Sequence, residues 1–426
     1  MPPVRLVHLG LGNFFRAHQA WYTARAPDAS EWSYAAFTGR TPGLADALRE
    51  QGGRYTLVTR AADGDRMEVI GSLSEVHAAS DHEAWLELFA RQELAAVTLT
   101  ITEAGYKDQS GPWTAPGRLV AGFAARRRAD AGPIALVPCD NLAANGALAF
   151  GVLRELAEQA DQSLASWIDE YVAVVTTMVD RITPRTTEAD IALVRDRTGF
   201  ADRCPVVTEP FSDWVLAGAF PAGRPQWERA GATFTEDITP FEERKLWLLN
   251  GGHSLLAYAG SIRGHVTVDQ AVADESCLAW LEQWWDEASA HLPQPESEIA
   301  AYRAALLARF ENPRIAHRLA QIAMDGSQKI AIRIPPVLRA ERAAGRMPLG
   351  ATRVIAAWIC HLRGLGAPVS DARADLVVPL AAGGNLAEAV RRILTWLAKD
   401  QGADSDLISV VTTQCRELAA NQRERL

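Results

Sequence analysis

Short apolar runs alternate with stretches of helical periodicity through the first half of the chain. Asp63-Gly64, set between Arg60 and Met67, predicts a hairpin within this half. The alternation of strands and helices is typical of an open, mostly parallel sheet with helices on both faces. The apolar runs predict strands at 5–9, 32–38, 55–59, 95–102, 133–137, 172–178 and 206–207.

The pattern changes near residue 238, where the strand patterns end and long helical patterns begin. Thr239 and Glu242 form a capping-box pattern and Pro240 takes the first helical position, so we expect a helix to begin at Thr239. The sequence therefore predicts an α/β domain with a mostly parallel sheet over 1–238 and a mainly α-helical domain over 239–426. Helices of the second domain are predicted at 241–258, 277–292, 298–310, 315–324, 354–362 and 386–397.

Composition and charge argue against several classes of protein. The 426 residues include 52 acidic and 43 basic side chains, which are interspersed and give a net charge of -9. Neither nucleic acid nor an anionic membrane is therefore an expected partner. Five widely spaced cysteines without a C-x-x-C pair argue against a disulfide framework and a zinc site. Because the chain shows no secretory pattern and no apolar stretch of roughly 18 residues, we expect a cytoplasmic protein.

The first candidate for chemistry is the turn after the first strand, Gly10-x-Gly12-Asn13-Phe14. Two glycines at this spacing let the backbone approach a pyrophosphate, which then lies on free amides at a helix N-terminus. Arg16, in the first helical turn, is expected to meet the anion. Arg40 follows the second strand, where NAD-binding proteins carry an acid, and is suited to a 2′-phosphate. The alternative interpretation is a tight turn with a solvent-facing arginine.

The second candidate is an apolar helical segment that contains one of the few lysines. Only four of the 43 basic residues are lysines, so a lysine in such a segment suggests a chemical role. Lys245, Asn250 and His253 fall within an arc of roughly 140° on the predicted helix, and a buried amine with a lowered pKa suits a general base. Gly251-Gly252 is expected to let a ligand approach. The alternative is a structural lysine paired with a glutamate, beside a core histidine.

Two strand ends and one turn supply further polar candidates. Asn141 and Asp180 follow predicted strands, and ligands of open α/β sheets bind at such strand ends. The Asn141 amide suits a developing alkoxide, whereas the alternative for both residues is a turn or a helix cap. The segment Asp325-Gly326-Ser327-Gln328-Lys329 combines a turn pattern with another lysine. Its alternative interpretation is a helix C-terminal cap with a surface lysine.

These residues together resemble the mannitol dehydrogenase family, the polyol-specific long-chain dehydrogenases. The resemblance implies a Rossmann-type domain, a largely helical domain and a metal-independent active site between them. It also implies that Lys245 is the general acid/base and that Asn141 and Asn250 form an oxyanion hole. Asp180 and His253 are implied to tune and orient the groups of the active site. The motifs that carry it are Gly10-x-Gly12-x-Phe14-x-Arg16-Ala17-His18, Cys139-Asp140-Asn141, Val179-Asp180-Arg181-Ile182-x-Pro184, Lys245-x4-Asn250-x2-His253-Ser254 and Asp325-Gly326-Ser327-x-Lys329.

The stretch 317–329 resembles the hexuronate branch of this family, the fructuronate reductases or mannonate oxidoreductases. Mannitol 2-dehydrogenases tend to carry an arginine where this chain has Gln321. We therefore expect Lys329, Gln321 and Arg318 to bind the substrate. The chain departs from the family in being shorter before the first strand and between 106 and 131, and in having Ala331 where a proline is usual.

The resulting hypothesis is a reductase of a sugar acid or ketose that uses NAD, with NADP as the alternative, and that needs no metal. Fructuronate is the first choice of substrate, and a mannitol or pentitol 2-dehydrogenase is the alternative within the family. From other classes, the alternatives are a dinucleotide-binding sensor without turnover and a zinc-dependent alcohol dehydrogenase. The expected assembly is a monomer or a small homo-oligomer.

Overall fold

The structure is a computed structural model that describes residues 2–39, 42–101, 103–108 and 111–423. The chain divides into two compact units, Met1–Ile238 and Thr239–Leu426. The described residues of the first unit form twelve strands, β1 to β12 in chain order: Val4–Leu9, Ser33–Phe37, Tyr55–Ala61, Gly64–Ile70, Leu73–His77, Ala96–Leu99, Ile134–Pro138, Val172–Val174, Thr176–Asp180, Val206–Thr208, Asp213–Ala217 and Thr233–Phe234.

A six-stranded parallel sheet forms the centre of the first unit, in the order β5-β2-β1-β6-β7-β8. This order is that of a doubly wound dinucleotide-binding sheet. Successive residues of β1 enter different cores, since Leu6 packs into one buried cluster and Val7 into another. Both faces of the sheet are therefore covered, and the predicted α/β class is confirmed.

Two three-stranded sheets complete the first unit, in the orders β10-β3-β4 and β12-β11-β9. The hairpin predicted at Asp63-Gly64 is confirmed, because β3 and β4 pair antiparallel on either side of it. The prediction of one strand at 172–178 is wrong. The chain changes sheets at Val175, where β8 ends at the edge of the parallel sheet and β9 pairs antiparallel with β11.

At the change of sheet, the backbone bonds the side chain of Asn145, which is fully buried. Its amide nitrogen donates to the Thr177 carbonyl oxygen (2.8 Å), and its amide oxygen accepts from the Thr177 N–H (3.0 Å). Both backbone groups of Thr177 are thus bonded to a side chain. The apolar run at 172–178 carries no trace of this partner, and β5, β11 and β12 were not predicted either.

Helices of the first unit flank these sheets. They span Asn13–Ala17, Gln19–Arg25, Gly43–Glu50, His82–Phe89, Glu103–Lys107, Ala115–Arg128, Asn145–Ala160, Gln162–Tyr171 and Glu188–Thr198, with short 3-10 turns at Ala29–Glu31 and Trp227–Ala230.

The regular secondary structure of the second unit, in its described part, is helical apart from an isolated bridge between Thr267 and Arg318. No helix in the described ranges is long and apolar enough to cross a bilayer. Besides the helix that begins at Thr239, helices span Val268–Val272, Glu275–Ser289, Glu296–Phe310, Leu319–Ile322, Gly326–Arg333, Pro335–Ala343, Leu349–Leu362, Ala374–Ala381, Leu386–Leu397 and Ser405–Arg423, and a 3-10 turn lies at Gln401–Ala403.

The predicted helix over 315–324 is wrong except for its centre, Leu319–Ile322. Ala316 and Asp325 both have left-handed backbone conformations, with φ of 49° and 54°. A helix cannot run through such residues, since an L-residue pays for the left-handed region and breaks the hydrogen-bond ladder there. The bridge at Arg318 further fixes the extended entry to the short helix.

Candidate active site

The turn after β1 is packed too closely for any residue but glycine at its first position. Gly10 has a φ of +112°, and a Cβ there would lie 2.1 Å from the carbonyl oxygen of Thr100. The N–H groups of Gly10 and Leu11 both donate to the carbonyl oxygen of Phe37, at 3.0 and 2.8 Å. Gly12 is different, because the nearest atom to its Cβ position is 3.6 Å away. A Cβ at Gly12 would therefore make only an ordinary van der Waals contact, at the point where the helix Asn13–Ala17 begins.

A buried histidine that sequence reasoning missed holds this turn from the β1 side. The His8 ring nitrogens bond the hydroxyls of Thr98 (2.8 Å) and Thr100 (2.9 Å), and the Thr100 hydroxyl in turn donates to the Gly10 carbonyl oxygen (2.9 Å). The ring also stacks on Phe15 at 3.5 Å. Burial lowers the pKa of His8 to about 3, so the ring is neutral. A polar residue inside an apolar strand was the signal available in the sequence.

Arg16 is bonded to the protein itself. Its side chain is 2% exposed, and it donates to the carbonyl oxygens of Cys204 and Gly12 and to the side-chain oxygen of Asn13. Asn13 in turn donates to the carbonyl oxygen of Pro184. The interactions that the structure gives Arg16 thus hold the turn in place, and the expected contact of Arg16 with an anion stays a prediction. The interpretation as a solvent-facing arginine is wrong.

The motif around Asp180 is fastened to the same turn. Arg181 is buried, stacks on Trp21, and donates to the carbonyl oxygens of Ala17 and Glu209. Asp180, also buried, ends β9 opposite Asp213 of β11. Two motifs that are 170 residues apart in the sequence therefore share one hydrogen-bonded region of the first unit.

Asn141 lies in the loop after β7 and is exposed, directly after a buried acid. Tyr106 donates a hydrogen bond of 2.6 Å to Asp140, and Asn145 donates to the Asp140 carbonyl oxygen at 2.9 Å. Burial raises the pKa of Asp140 to about 7, although the bond from Tyr106 opposes the shift. The loop that presents Asn141 is thus fixed at its first residue by two side chains.

A cavity of about 910 Å³ opens beside the glycine turn in the first unit. Gly10, Gly39, Thr100, Trp113 and Arg118 are among the residues that line it. Its position at the carboxyl ends of β1, β2 and β6 is where doubly wound sheets bind dinucleotides. The cavity and the tight turn at Gly10 together fit such a group. Arg40 lies outside the described residues.

The helix that begins at Thr239 changes its winding at the predicted lysine. The α-helix Thr239–Arg244 continues as a π-helix over Lys245–Gly251, returns to α over Gly252–Leu255 and is again π-helical over Leu256–Gly260. In a π-helix residue i+5 follows residue i by one turn. Asn250 therefore lies one turn beyond Lys245, on the same side, which is a tighter alignment than an α-helix would give. Lys245 is buried and Asn250 is half-buried.

The carbonyl groups of the first π-helical segment accept hydrogen bonds from other helices. The Nε1 of Trp284 donates to the carbonyl oxygen of Trp247, and that of Trp285 donates to the carbonyl oxygen of Leu248, both at 2.9 Å. Arg333 donates to the carbonyl oxygen of Asn250 at 3.0 Å and to the Ser254 hydroxyl at 2.9 Å. Sequence reasoning missed Arg333 and both tryptophans.

The glycine pair Gly251-Gly252 makes room for a neighbouring helix. The expectation that it makes room for a ligand is therefore wrong. A Cβ on Gly251 would lie 2.6 Å from the Trp284 ring, and one on Gly252 would lie 2.9 Å from Leu281. Both of these residues belong to the helix Glu275–Ser289. The two glycines thus let the tryptophan side chains reach the π-helical carbonyls.

Positive charge surrounds His253. Burial is the main cause that lowers its pKa well below 6.5, and His317, Arg309, Arg333 and Lys329 add to the shift. The His317 ring stands perpendicular to that of His253 at 5.3 Å, and burial lowers its pKa too. Among the described residues, Nε2 of His253 and Nδ1 of His317 are buried without a hydrogen-bond partner. The cluster is a set of cations around two neutral imidazoles.

The 325–329 motif starts a helix, so its interpretation as a C-terminal cap is wrong. Asp325 precedes the helix Gly326–Arg333, and Ser327 bonds the carboxylate of Asp371 through its N–H (2.7 Å) and its hydroxyl (2.6 Å). Lys329 is half-buried and donates to the Ile322 carbonyl oxygen at 3.1 Å. Arg318 and Gln321 are exposed, and their assignment to the substrate stays a prediction.

Two family models match the chain, one to each part of it. The model of the mannitol dehydrogenase Rossmann domain matches residues 4–229, and that of the mannitol dehydrogenase C-terminal domain matches residues 237–416. The chain belongs to the mannitol dehydrogenase family. It is thus an oxidoreductase that acts on a CH–OH group with a nicotinamide cofactor, as the motif series implied.

Relatives within the mannitol dehydrogenase family differ in their substrates. The D-mannonate oxidoreductase of Escherichia coli K12 is 32% identical over 97% of this chain and 93% of the relative. A D-sorbitol dehydrogenase structure in substrate-free form superposes with a TM-score of 0.92 at 27% identity, covering 99% of this chain and 95% of the other. The structure of Pseudomonas fluorescens mannitol 2-dehydrogenase in a ternary complex with NAD and D-mannitol superposes with a TM-score of 0.79 at 30% identity. The match covers 100% of this chain and 94% of the other.

The contact between Gly251 and Trp284 predicts a reversal of the usual effect of a helical Gly→Ala change. In an open helical site this change stabilises by about 0.5–1 kcal/mol. We expect Gly251→Ala to destabilise instead, because its Cβ would overlap the Trp284 ring. Gly151→Ala is the matched control, since no atom lies within 4 Å of its Cβ position. Thermal unfolding of both variants measures the signs, and a stabilised Gly251→Ala would contradict the packing described.

Proposed function

We propose that this member of the family is a fructuronate reductase, which interconverts D-fructuronate and D-mannonate. The observation that supports a sugar acid is the cluster of cations around His253. Burial is the first cause of the lowered pKa of His253, and Arg309, Lys329 and Arg333 lower it further through their charge. Asp325 and Asp371 also act on Lys329, but three cations in a partly buried region still favour a ligand with a negative charge. A hexuronate carries a carboxylate, whereas a neutral ketose has none.

The proposed proton transfer uses the helix that carries Lys245. In the direction of reduction, Lys245 donates a proton to the substrate oxygen as the carbonyl carbon receives a hydride, and in oxidation it takes the proton back. The Asn250 side-chain amide, one helical turn away, is assigned to the oxygen on which negative charge develops. His253 stays neutral because of burial and its cationic neighbours, so it serves as a hydrogen-bonding group that orients the substrate.

Asn141 and Asp180 complete the proposed assignment in the first unit. Asn141 is proposed as a second amide donor, which its exposed position on a fixed loop allows, and Asp180 as a tuning group. The glycine turn and its cavity are proposed to hold NAD, with NADP as the alternative, through Gly10, Gly12 and the first-turn amides of Asn13 and Phe14. When bound, the nicotinamide supplies or receives the hydride.

The second candidate is a mannitol 2-dehydrogenase, which the solved relative with D-mannitol favours. A comparison of kcat/KM for D-fructuronate and D-fructose tests the choice, with either reduced cofactor followed by its absorbance. We expect the ketouronate to be preferred by at least tenfold. A higher kcat/KM for fructose would contradict the proposal and favour the alternative.

Lys245 is the residue on which the proposed chemistry depends most. Lys245→Ala should lower kcat by about 10²- to 10⁴-fold, because it removes the general acid/base, and should leave cofactor binding nearly unchanged. Lys245→Arg should fail almost as badly, since a guanidinium does not give up its proton near neutral pH. Steady-state kinetics and titration of cofactor fluorescence separate the two effects. Near wild-type turnover in either variant would refute the acid/base assignment.

Lys329 tests the carboxylate contact. We expect Lys329→Ala to raise KM for D-fructuronate by about tenfold or more and to change KM for D-fructose little, because a charge-assisted hydrogen bond is lost only with the acid. Lys399→Ala is the matched control, because Lys399 is exposed and its change removes the same charge. Equal effects of Lys329→Ala on the two substrates would argue against this contact.

The proposed chemistry needs no metal, so activity should survive exhaustive chelation. One group of possible ligands, His265, Asp274 and Cys277, lies together in the second unit. Arg263 occupies it, however, with its Nε 2.8 Å from the Asp274 carboxylate. Loss of activity in EDTA that added zinc restores would show that the metal-free mechanism is wrong.

A further inference from the structure

Arg118 is a buried cation on the wall of the cavity in the first unit, and no role has been assigned to it so far. It is 2% exposed and lines the cavity together with Gly10 and Gly39. Its guanidinium lies 5.2 Å from the Phe37 ring centroid and 4.6 Å from that of Trp85. In the described part of the chain, its Nε and Nη2 are buried without any hydrogen-bond acceptor.

Another buried arginine of the same helix shows what a structural arginine looks like here. Arg126 donates to the backbone carbonyl oxygens of five residues: Phe89, Arg91, Ala131, Gly132 and Pro133. All three of its side-chain nitrogens therefore donate hydrogen bonds. Nε and Nη2 of Arg118 have no such acceptors, and a buried charged group whose donors lack acceptors is destabilising. An anion that reached the guanidinium from the side of the cavity would relieve that cost.

No acid in the described surroundings neutralises Arg118. Burial lowers the pKa of Arg118 to about 10, and the charge of Asp81 opposes this shift without reversing it. The Asp81 carboxylate is itself bonded to the His77 ring at 2.7 Å and to the N–H of Ala84 at 3.3 Å. Asp108, the one acid among the described lining residues, is exposed. Arg118 therefore remains available for an anion brought by a ligand.

The position of Arg118 indicates which anion this is. Phe37, on which it stacks, is the last residue of β2, and Thr38 and Gly39 follow. The end of this strand is where dinucleotide-binding sheets place the adenosine ribose, with an acid for the 2′-hydroxyl of NAD or an arginine for the 2′-phosphate of NADP. Neither Thr38 nor Gly39 is an acid. The diphosphate of the cofactor has its own place at the glycine turn.

We propose that Arg118 binds the 2′-phosphate of NADP(H), so that this enzyme uses NADP(H) in addition to NAD(H). The proposal rests on the proposed function, because it assigns the cavity to the adenosine end of the nicotinamide cofactor. It adds a specificity-determining residue that lies on the helix Ala115–Arg128, outside the glycine motif and the β2 end.

Binding of cofactor fragments tests the proposal without turnover. We would measure dissociation constants by calorimetry for adenosine 2′,5′-bisphosphate, 5′-AMP and ADP. The wild-type protein should bind the bisphosphate at least tenfold more tightly than 5′-AMP. A bisphosphate that binds no more tightly than 5′-AMP would overturn the role of Arg118 and leave the reductase function intact. If none of the three binds, both the inference and the cofactor site of the proposed function are wrong.

Variants then locate the contact. Arg118→Gln should weaken the bisphosphate by about ten- to a hundredfold, the range for a lost charge-assisted bond, and change 5′-AMP and ADP less than twofold. Arg128→Gln is the matched control, because it removes the same charge from an exposed position of the same helix. Equal weakening of all three ligands in Arg118→Gln would assign the anion to the diphosphate and overturn the proposal.

Two further measurements guard against a folding defect. Arg118→Lys keeps a cation and the apolar stem, so it should retain part of the preference for the bisphosphate. With turnover as the readout, the ratio of kcat/KM for NADPH to that for NADH should fall tenfold or more in Arg118→Gln and stay constant in Arg128→Gln. An unchanged ratio in a folded Arg118→Gln protein would contradict the assignment.

Discussion

The arrangement of the second unit depends on hydrogen bonds from side chains to the carbonyl groups of one π-helical segment. Trp284 and Trp285 reach this segment from a neighbouring helix, and Arg333 reaches it from another. A π-helix is rare, and hydrogen bonds from other helices to its carbonyl groups add to its stability. The glycine pair beside the segment lets the tryptophans approach. Packing at this helix thus fixes the spacing of Lys245 and Asn250.

The same contacts connect backbone geometry to electrostatics. Arg333 binds the Asn250 carbonyl oxygen and also contributes positive charge at His253. A cation so placed stabilises the helix and, at the same time, makes its surroundings favourable for an acidic substrate. Lys329 lies one turn before Arg333 on the helix Gly326–Arg333, so one helix positions both cations. The preference for a charged substrate and the π-helical winding are therefore expected to depend on the same residues.

Much of the fold could be predicted from local patterns. The start of the helix at Thr239, the hairpin at Asp63-Gly64 and the strand–turn–helix order around Gly10 all depend on neighbours in sequence, and the structure has each of them. The identities of Lys245, Asn250 and His253 also stood out, because polar residues are rare in an apolar helix. The family comparisons agree with the motif series that these residues belong to.

What could not be predicted depends on partners far away in the chain. The change of sheet at Val175 follows from the buried side chain of Asn145, and the π-helical winding from tryptophans some 37 residues later. The burial of Arg16 was also hidden, since its contact with the carbonyl oxygen of Cys204 leaves no mark in the local sequence. Gly251-Gly252 looked like room for a ligand for the same reason.

The central claim is that the cationic surroundings of the Lys245 helix select a sugar acid. Calorimetric titration of the NADH-saturated enzyme with D-mannonate and with D-mannitol tests this directly, because neither alcohol can react with the reduced cofactor. The account predicts that D-mannonate binds at least tenfold more tightly than D-mannitol and that the difference shrinks as salt is added. Equal affinities, or tighter binding of D-mannitol, would contradict it.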